Sequence, residues 1–412
     1  MFYLYKLLIF FICFEEVISR LIFPLKYCKY LIVFAVLFAV LHKNEWRFSF
    51  PIKTFFGKLF LLITVYSTLV SIPFFVQYGW NGFDVPKKYL FFPILVICFF
   101  YAPLFGCSAK SLLYFYARIM LLYSVSNAVL YFLNLPIWNS GGYWGRISVG
   151  YPTIDVVSYA IAIAIFMFGN KNQNWFKNSF ASFVLSLGII SQVSGTGFIL
   201  LAMIVSYAIV FIIWDKVHGK SNNLGKKMIL LFVLMGVFLP IGYAIIDFKR
   251  PDLLKKMEWH LINRTSLIIQ GNAYSTDVNT MDVRKDEYKI AQKEYQNDAV
   301  SMFLGVGFGP LNFSSTTNNE VKKTVFLESQ YHLTLFTSGL LGVAILLLLF
   351  ASVVWKTLCV KNRLMFSITT FFIAAFWTVN PLMSFSLAGV LSLCYVLIFY
   401  RDETGQNNPN CL

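Results

Sequence analysis

Where a polar loop runs into a long apolar segment, VFLESQYHLTLFTSGLLGV at 325–343, the chain places a carboxylate, Glu328, and four residues later an imidazole, His332. A carboxylate at an apolar edge is equipped to take the proton from a weak hydroxyl nucleophile as it attacks. Its ordinary pKa of about 4.3 keeps it ionised, and partial burial raises that toward a more useful value. Three arginines stand in polar segments: Arg146 in GGYWGRISVGYPT, Arg264 in INRTS and Arg284 in MDVRKDE. Arg carries a permanent charge on a planar fork that meets phosphate oxygens two at a time. An ordinary loop charge is an even alternative for Arg264, whereas Arg146 is the sole Lys or Arg in 134–151. Metal chemistry lacks a ligand set: there is no D-x-D or H-E-x-x-H, and His42, His218, His260 and His332 are dispersed. No nucleophile elbow marks a Ser-His-Asp hydrolase, and no cofactor is implied. GVGFGP at 305–310 is not a dinucleotide fingerprint, because Pro310 follows at once and no βαβ unit fits. Its glycines suit tight turns and close backbone approach where the loop meets the apolar segment. Gly339 and Gly342 read most simply as small residues for close helix packing.

These groups must be held by apolar helices. Of 412 residues, 58% are hydrophobic and 13% charged, and the mean hydropathy is +0.68, which excludes a soluble domain and predicts an all-α polytopic membrane protein. About twelve spans fit, at 3–22, 27–42, 56–76, 88–106, 111–133, 152–169, 178–193, 196–214, 227–247, 326–355, 363–379 and 382–400. The last two part at Asn380-Pro381. The first reads as a retained span and not a cleaved signal, since it lacks a basic start and a small-residue cleavage site. The seven cysteines, scattered and mostly in or beside spans, predict neither disulfides nor a thiolate metal site. The formal charge of +15 fits cationic loops against anionic lipid better than nucleic acid.

With the N-terminus in the cytoplasm, inner loops collect Lys43, Arg47, Lys53, Lys110, Lys171, Lys177, Lys216, Lys220, Lys226, Lys227, Lys356, Lys361 and Arg363. The short outer loops after the first hairpin hold few, Lys87, Lys88 and Arg146. The first hairpin fits poorly, with Lys26 and Lys29 outside and Glu15 and Glu16 within its first span. The domain order is then 1–247, nine spans; 248–325, a large outer loop with short helices; 326–400, three spans; and 401–412, a cytoplasmic tail. The loop holds nine of the nineteen acidic residues, and 281–300, behind Thr280, has helical periodicity, so it reads as folded and not as a linker. Arg146, Arg264, Arg284 and Glu328 all fall on the outer side.

Four segments together resemble the O-antigen ligase and polymerase superfamily. Glu328-Ser329, then nine residues, then Gly339-x-x-Gly342 matches its His-or-Glu signature before G-x-x-G, and Glu is similar to the polymerase, Wzy-type branch. Arg146 and Pro152 resemble the ends of R-x-x-G-x-x-P, with Gly150 one position late. SGTGFILL at 194–201 resembles S-R-T-G-x-x-x-L, with Gly195 where Arg is usual. Arg284 followed by GVGFG resembles the large periplasmic loop.

That resemblance implies a GT-C-like, metal-independent glycosyltransferase of the bacterial inner membrane, facing the periplasm. It would move a growing glycan from undecaprenyl diphosphate to the non-reducing end of the next lipid-linked repeat unit. Glu328 would be the general base, Arg146, Arg284 and Arg264 would hold the departing diphosphate, and His332 is a candidate helper on the same helix face. Implied partners are the lipid-linked repeat units and membrane lipids, with a chain-length regulator and a flippase as candidates. A ligase acting on lipid A–core is the nearest alternative, opposed by Glu328 where ligases carry His. A transporter is further off, because its polar groups belong at mid-membrane in repeated halves.

Overall fold

The computed structural model describes residues 2–21, 27–46, 52, 54–73, 76, 84–132, 152–169, 174–219, 223–270, 289, 292–293, 296, 298–308, 316–317, 320–321, 327 and 329–400. Arg146, Arg284, Glu328, most of the expected helix 281–300 and the tail 401–412 lie outside them.

The helices, in chain order, are α1 Phe2–Leu21, α2 Cys28–Lys43, α3 Phe55–Val70, α4 Asp84–Tyr89, α5 Phe91–Phe100, α6 Ala109–Phe132, α7 Pro152–Phe168, α8 Trp175–Ser191 and α9 Gly195–Val217. They continue with α10 Leu224–Lys249, α11 Pro251–Gln270, α12 Ala299–Leu304, α13 Gln330–Cys359, α14 Arg363–Ala375 and α15 Phe385–Tyr400. One small hairpin pairs Thr316–Thr317 with Glu320–Val321 antiparallel. Among the described residues four helices, α6, α9, α10 and α13, are long and apolar enough to cross a bilayer, as a membrane protein requires, and α3, α7, α14 and α15 are shorter and apolar. The expected span 88–106 is divided into α4, α5 and a 3-10 turn at Ala102–Phe105. The span expected at 363–379 ends as helix at Ala375, and the chain turns through Phe376–Thr378.

The chain divides into two compact units. The first comprises Met1–Phe38, Ala102–Ser275 and Lys361–Phe372. Its centre is α7, buried on every side from Asp155 to Met167. An apolar helix with no polar stripe is stable only when surrounded, and α6, α8 and α9 pack on it. Alternating Ala160, Ala162 and Ala164 let neighbours close in. Both ends are matched to the helix dipole. Asp155, in the first turn, accepts from the Tyr123 hydroxyl at 3.0 Å and Asn127 Nδ2 at 3.3 Å. At the other end the Lys227 ammonium donates to the Phe166 and Met167 carbonyls at 2.9 and 3.1 Å. Arg363 grips Asp215 bidentately at 2.7 and 2.5 Å, its guanidinium lying 5.1 Å from the Phe211 ring centre. Lys29 pairs with Glu15, which gives two of the misfitting hairpin charges a local partner. By contrast α10 turns Ile229, Phe232, Val233, Val237 and Phe238 outward, the surface of a helix that faces lipid.

The second unit comprises Ala39–Tyr101, Thr276–Val360 and Ile373–Leu412. Here α15 lies along α5, with Phe91 on Phe385 and the Ser392 hydroxyl on the Phe92 carbonyl at 3.0 Å. α13 packs on α3 and on α12. Asp298 caps α12 by accepting the Ser301 amide at 2.7 Å and hydroxyl at 2.9 Å, and these bonds hold its carboxyl below the usual range.

Candidate functional site

The start of α13 is fixed from both sides of Glu328. Helix geometry begins at Gln330, with Ser329 as N-cap in extended conformation. His332 therefore belongs to the first helical turn, and its expected i, i+4 pairing with Glu328 lies outside the described residues. The Ser329 hydroxyl accepts the His332 amide at 3.5 Å and donates to the Phe376 carbonyl at 3.2 Å. On the other side, Asn380 Nδ2 donates to the Leu327 carbonyl. Both chain neighbours of Glu328 are thus bonded to the turn that joins α14 to α15.

Gln330 completes this junction, and sequence reading passed over it. It is fully buried. Its backbone N–H, an orphan donor of the helix start, goes to the Phe376 and Val379 carbonyls at 2.8 and 3.2 Å. Its side-chain amide donates to the Tyr89 hydroxyl at 2.7 Å and to Thr334 Oγ1 at 3.4 Å, and its Oε1 accepts the Leu382 amide at 3.3 Å. Gln330→Leu leaves the Leu382 amide and one Gln-bonded hydroxyl unsatisfied in the interior, at about 1–3 kcal/mol each. The expected outcome is a thermal midpoint lowered by several degrees in detergent, with activity falling in proportion to lost order at the α13 threshold.

Nine residues further on, α13 is broken. Gly339 has φ 64° and ψ −166°, a region open essentially to glycine alone. A break at this depth strands backbone carbonyls that water cannot reach. The loop Gly305–Phe308 satisfies them: the Val306 amide donates to the Phe336 carbonyl at 2.9 Å and the Gly307 amide to the Thr337 carbonyl at 3.0 Å. Ser67 on α3 adds a bond to the Thr337 carbonyl at 3.0 Å and another to Ser338 Oγ at 2.9 Å. Ser71 receives the Phe308 amide at 2.6 Å. Gly305 (φ 79°, ψ 176°) occupies the same glycine region. A Cβ on Gly305 would collide with the Ser338 amide nitrogen, and one on Gly339 with the Phe303 carbonyl. Gly305 and Gly307 do serve close backbone approach, as the sequence implied. Gly339 does more than allow packing, because it breaks the helix. Gly342 faces Ser338 of its own helix and not a neighbouring one.

The two centres are joined. Phe308, fully buried, packs its ring 4.7 Å from that of Tyr89, whose hydroxyl is the partner of Gln330. The structure therefore brings together the glycine loop, the α13 break, the α13 threshold and the turn Phe376–Leu382. His332 stands half-buried at that threshold, edge-on to the Trp377 ring at 6.2 Å. Arg264 lies on α11 in the other unit, its side chain outside the described set. Arg146, Arg284 and Glu328 have no described position.

No protein-family model matches the chain, and no curated protein matches it.

Proposed function

We propose that the chain is a polymerase of lipid-linked glycans, working at the outer face of the bacterial inner membrane in a GT-C-like bundle of about twelve spans. The observation that supports it most is the pairing of the Gly305–Phe308 loop with the break at Gly339. Two glycine signatures some thirty residues apart form one backbone-bonded unit, and Glu328 stands in sequence between residues that are pinned next to it. Such bracing is what a general base needs, since a base must be held within hydrogen-bond reach of its proton.

In this reading the donor is a glycan on undecaprenyl diphosphate. The bond from its anomeric carbon to the diphosphate oxygen breaks, and a hydroxyl at the non-reducing end of the next lipid-linked repeat forms the new glycosidic bond. Glu328 takes the hydroxyl proton. The diphosphate leaves as an anion already stable in water, so it needs fixed positive charge and no general acid; Arg146 and Arg284, with Arg264, supply that charge. No metal enters this reading. A chain-length regulator and a flippase are the expected partners.

Deletion of the gene in its host tests this on a polysaccharide gel. Loss of a polymerase leaves lipid A–core carrying one repeat unit. Bare core would transfer the proposal to a ligase, and an unchanged ladder would contradict both.

A further inference from the structure

The geometry points to a second element of the site: Trp377 is a stacking platform for one pyranose ring of the glycan. This rests on the glycan-polymerase reading. Trp377 lies in the turn after α14, and its side chain is 63% exposed. The ring is not loose. It packs 5.0 Å from the Tyr331 ring at 53° and 6.2 Å from the His332 ring at 87°. Tyr331 is itself fixed by its hydroxyl bond to the Ile373 carbonyl at 3.1 Å. The backbone beneath is held by Ser329 and Gln330 on the Phe376 carbonyl and by Gln330 on the Val379 carbonyl. An indole so braced presents a broad face at little entropic cost.

Sugars complement such a face. A pyranose offers an apolar C–H surface on one side and hydroxyls around its rim, and the negative aromatic face attracts those C–H groups. Residues 327 and 329, which flank the proposed base in sequence, are bonded to the turn that carries Trp377. A rival use of an exposed Trp is anchoring at the membrane interface. The two differ in what they require: anchoring draws on the amphipathic indole with its polar N–H, which Phe lacks, whereas stacking needs an aromatic face, which Phe keeps.

Trp377→Leu and Trp377→Phe separate them. The probes are the undecaprenyl-diphosphate-linked repeat unit, for polymerisation by the protein in vesicles, and the free repeat-unit oligosaccharide, for saturation-transfer NMR. The platform predicts that Trp377→Leu raises the substrate concentration for half-maximal rate about five- to ten-fold with little change in kcat. It also predicts that the NMR signal of the free sugar is lost. Trp377→Phe should restore most of both, and thermal midpoints of the two variants should match. Equal kinetics and equal sugar signal in wild type and Trp377→Leu would overturn the platform while leaving the polymerase reading intact. A wild-type protein that binds the sugar through Trp377 yet forms no polymer would keep the platform and remove the polymerase. Loss in Leu and Phe variants alike, with lowered thermal midpoints, would make Trp377 a fold residue and overturn the platform.

Discussion

Glu328→Gln stops polymer formation while the protein accumulates and folds as before. Gln matches Glu in shape and keeps a hydrogen-bonding oxygen, but it cannot accept the proton of the attacking sugar hydroxyl. Loss of a positioned base costs about 10²–10⁴ in rate, enough to erase a ladder of long chains. The substitution does not touch the bonds that fix its neighbours, because those run from the Leu327 carbonyl and the Ser329 hydroxyl. Protein amount and thermal midpoint should therefore match wild type. The measurement is the rate of repeat-unit addition per mole of purified protein. A Glu328→Gln variant polymerising at more than about a tenth of the wild-type rate would remove Glu328 as base.

The second large effect is structural. Gly339→Ala yields little or no folded protein. The backbone at Gly339, φ 64° with ψ −166°, admits almost no other residue. The added Cβ meets the Phe303 carbonyl group and the Gly305 amide nitrogen, and these backbone atoms cannot swing aside as a side-chain tip can. Relieving the clash pushes the loop off α13 and unpairs the Phe336 and Thr337 carbonyls. Backbone strain plus lost buried bonds places the cost above about 4 kcal/mol. Gly236→Ala, inside α10, is the control: its added Cβ meets nothing within 4 Å, and alanine in a helix is favoured over glycine by about 0.5–1 kcal/mol. Equal behaviour of the two variants in fluorescence-detected size exclusion and thermal melts would show that position 339 does not need a glycine.

The apolar segments were legible because length and hydropathy suffice to find them. Their breaks were less so. Pro93 in the first turn of α5 and Pro103 in the 3-10 turn are the local marks of the divisions in 88–106, and the helix expected to reach 379 ends early because the turn Phe376–Val379 is held from outside by Gln330. Glycine type alone indicated close backbone approach at 305–307, but not the partner. That the loop's amides answer the carbonyls stranded at Gly339 depends on a contact between distant segments, for which one sequence carries no trace. Gln330 carries no motif, yet it is buried and satisfied from three directions. Asp155 was absorbed into an apolar span. A carboxylate in the first turn of such a span is the available signal, and the Tyr123 and Asn127 donors that hold it lie on another helix. Trp377 carries no motif, and only its exposure and bracing mark it.

The most direct measurement of the central claim uses the purified protein in vesicles with a labelled undecaprenyl-diphosphate repeat unit as sole substrate, products being resolved by size on a gel. A polymerase builds a ladder of two, three and more repeats on lipid, releases undecaprenyl diphosphate in step, continues in a metal chelator, and does none of this as Glu328→Gln. A folded wild-type protein that leaves the labelled unit as a monomer, or that moves it only when lipid A–core is added, would contradict it.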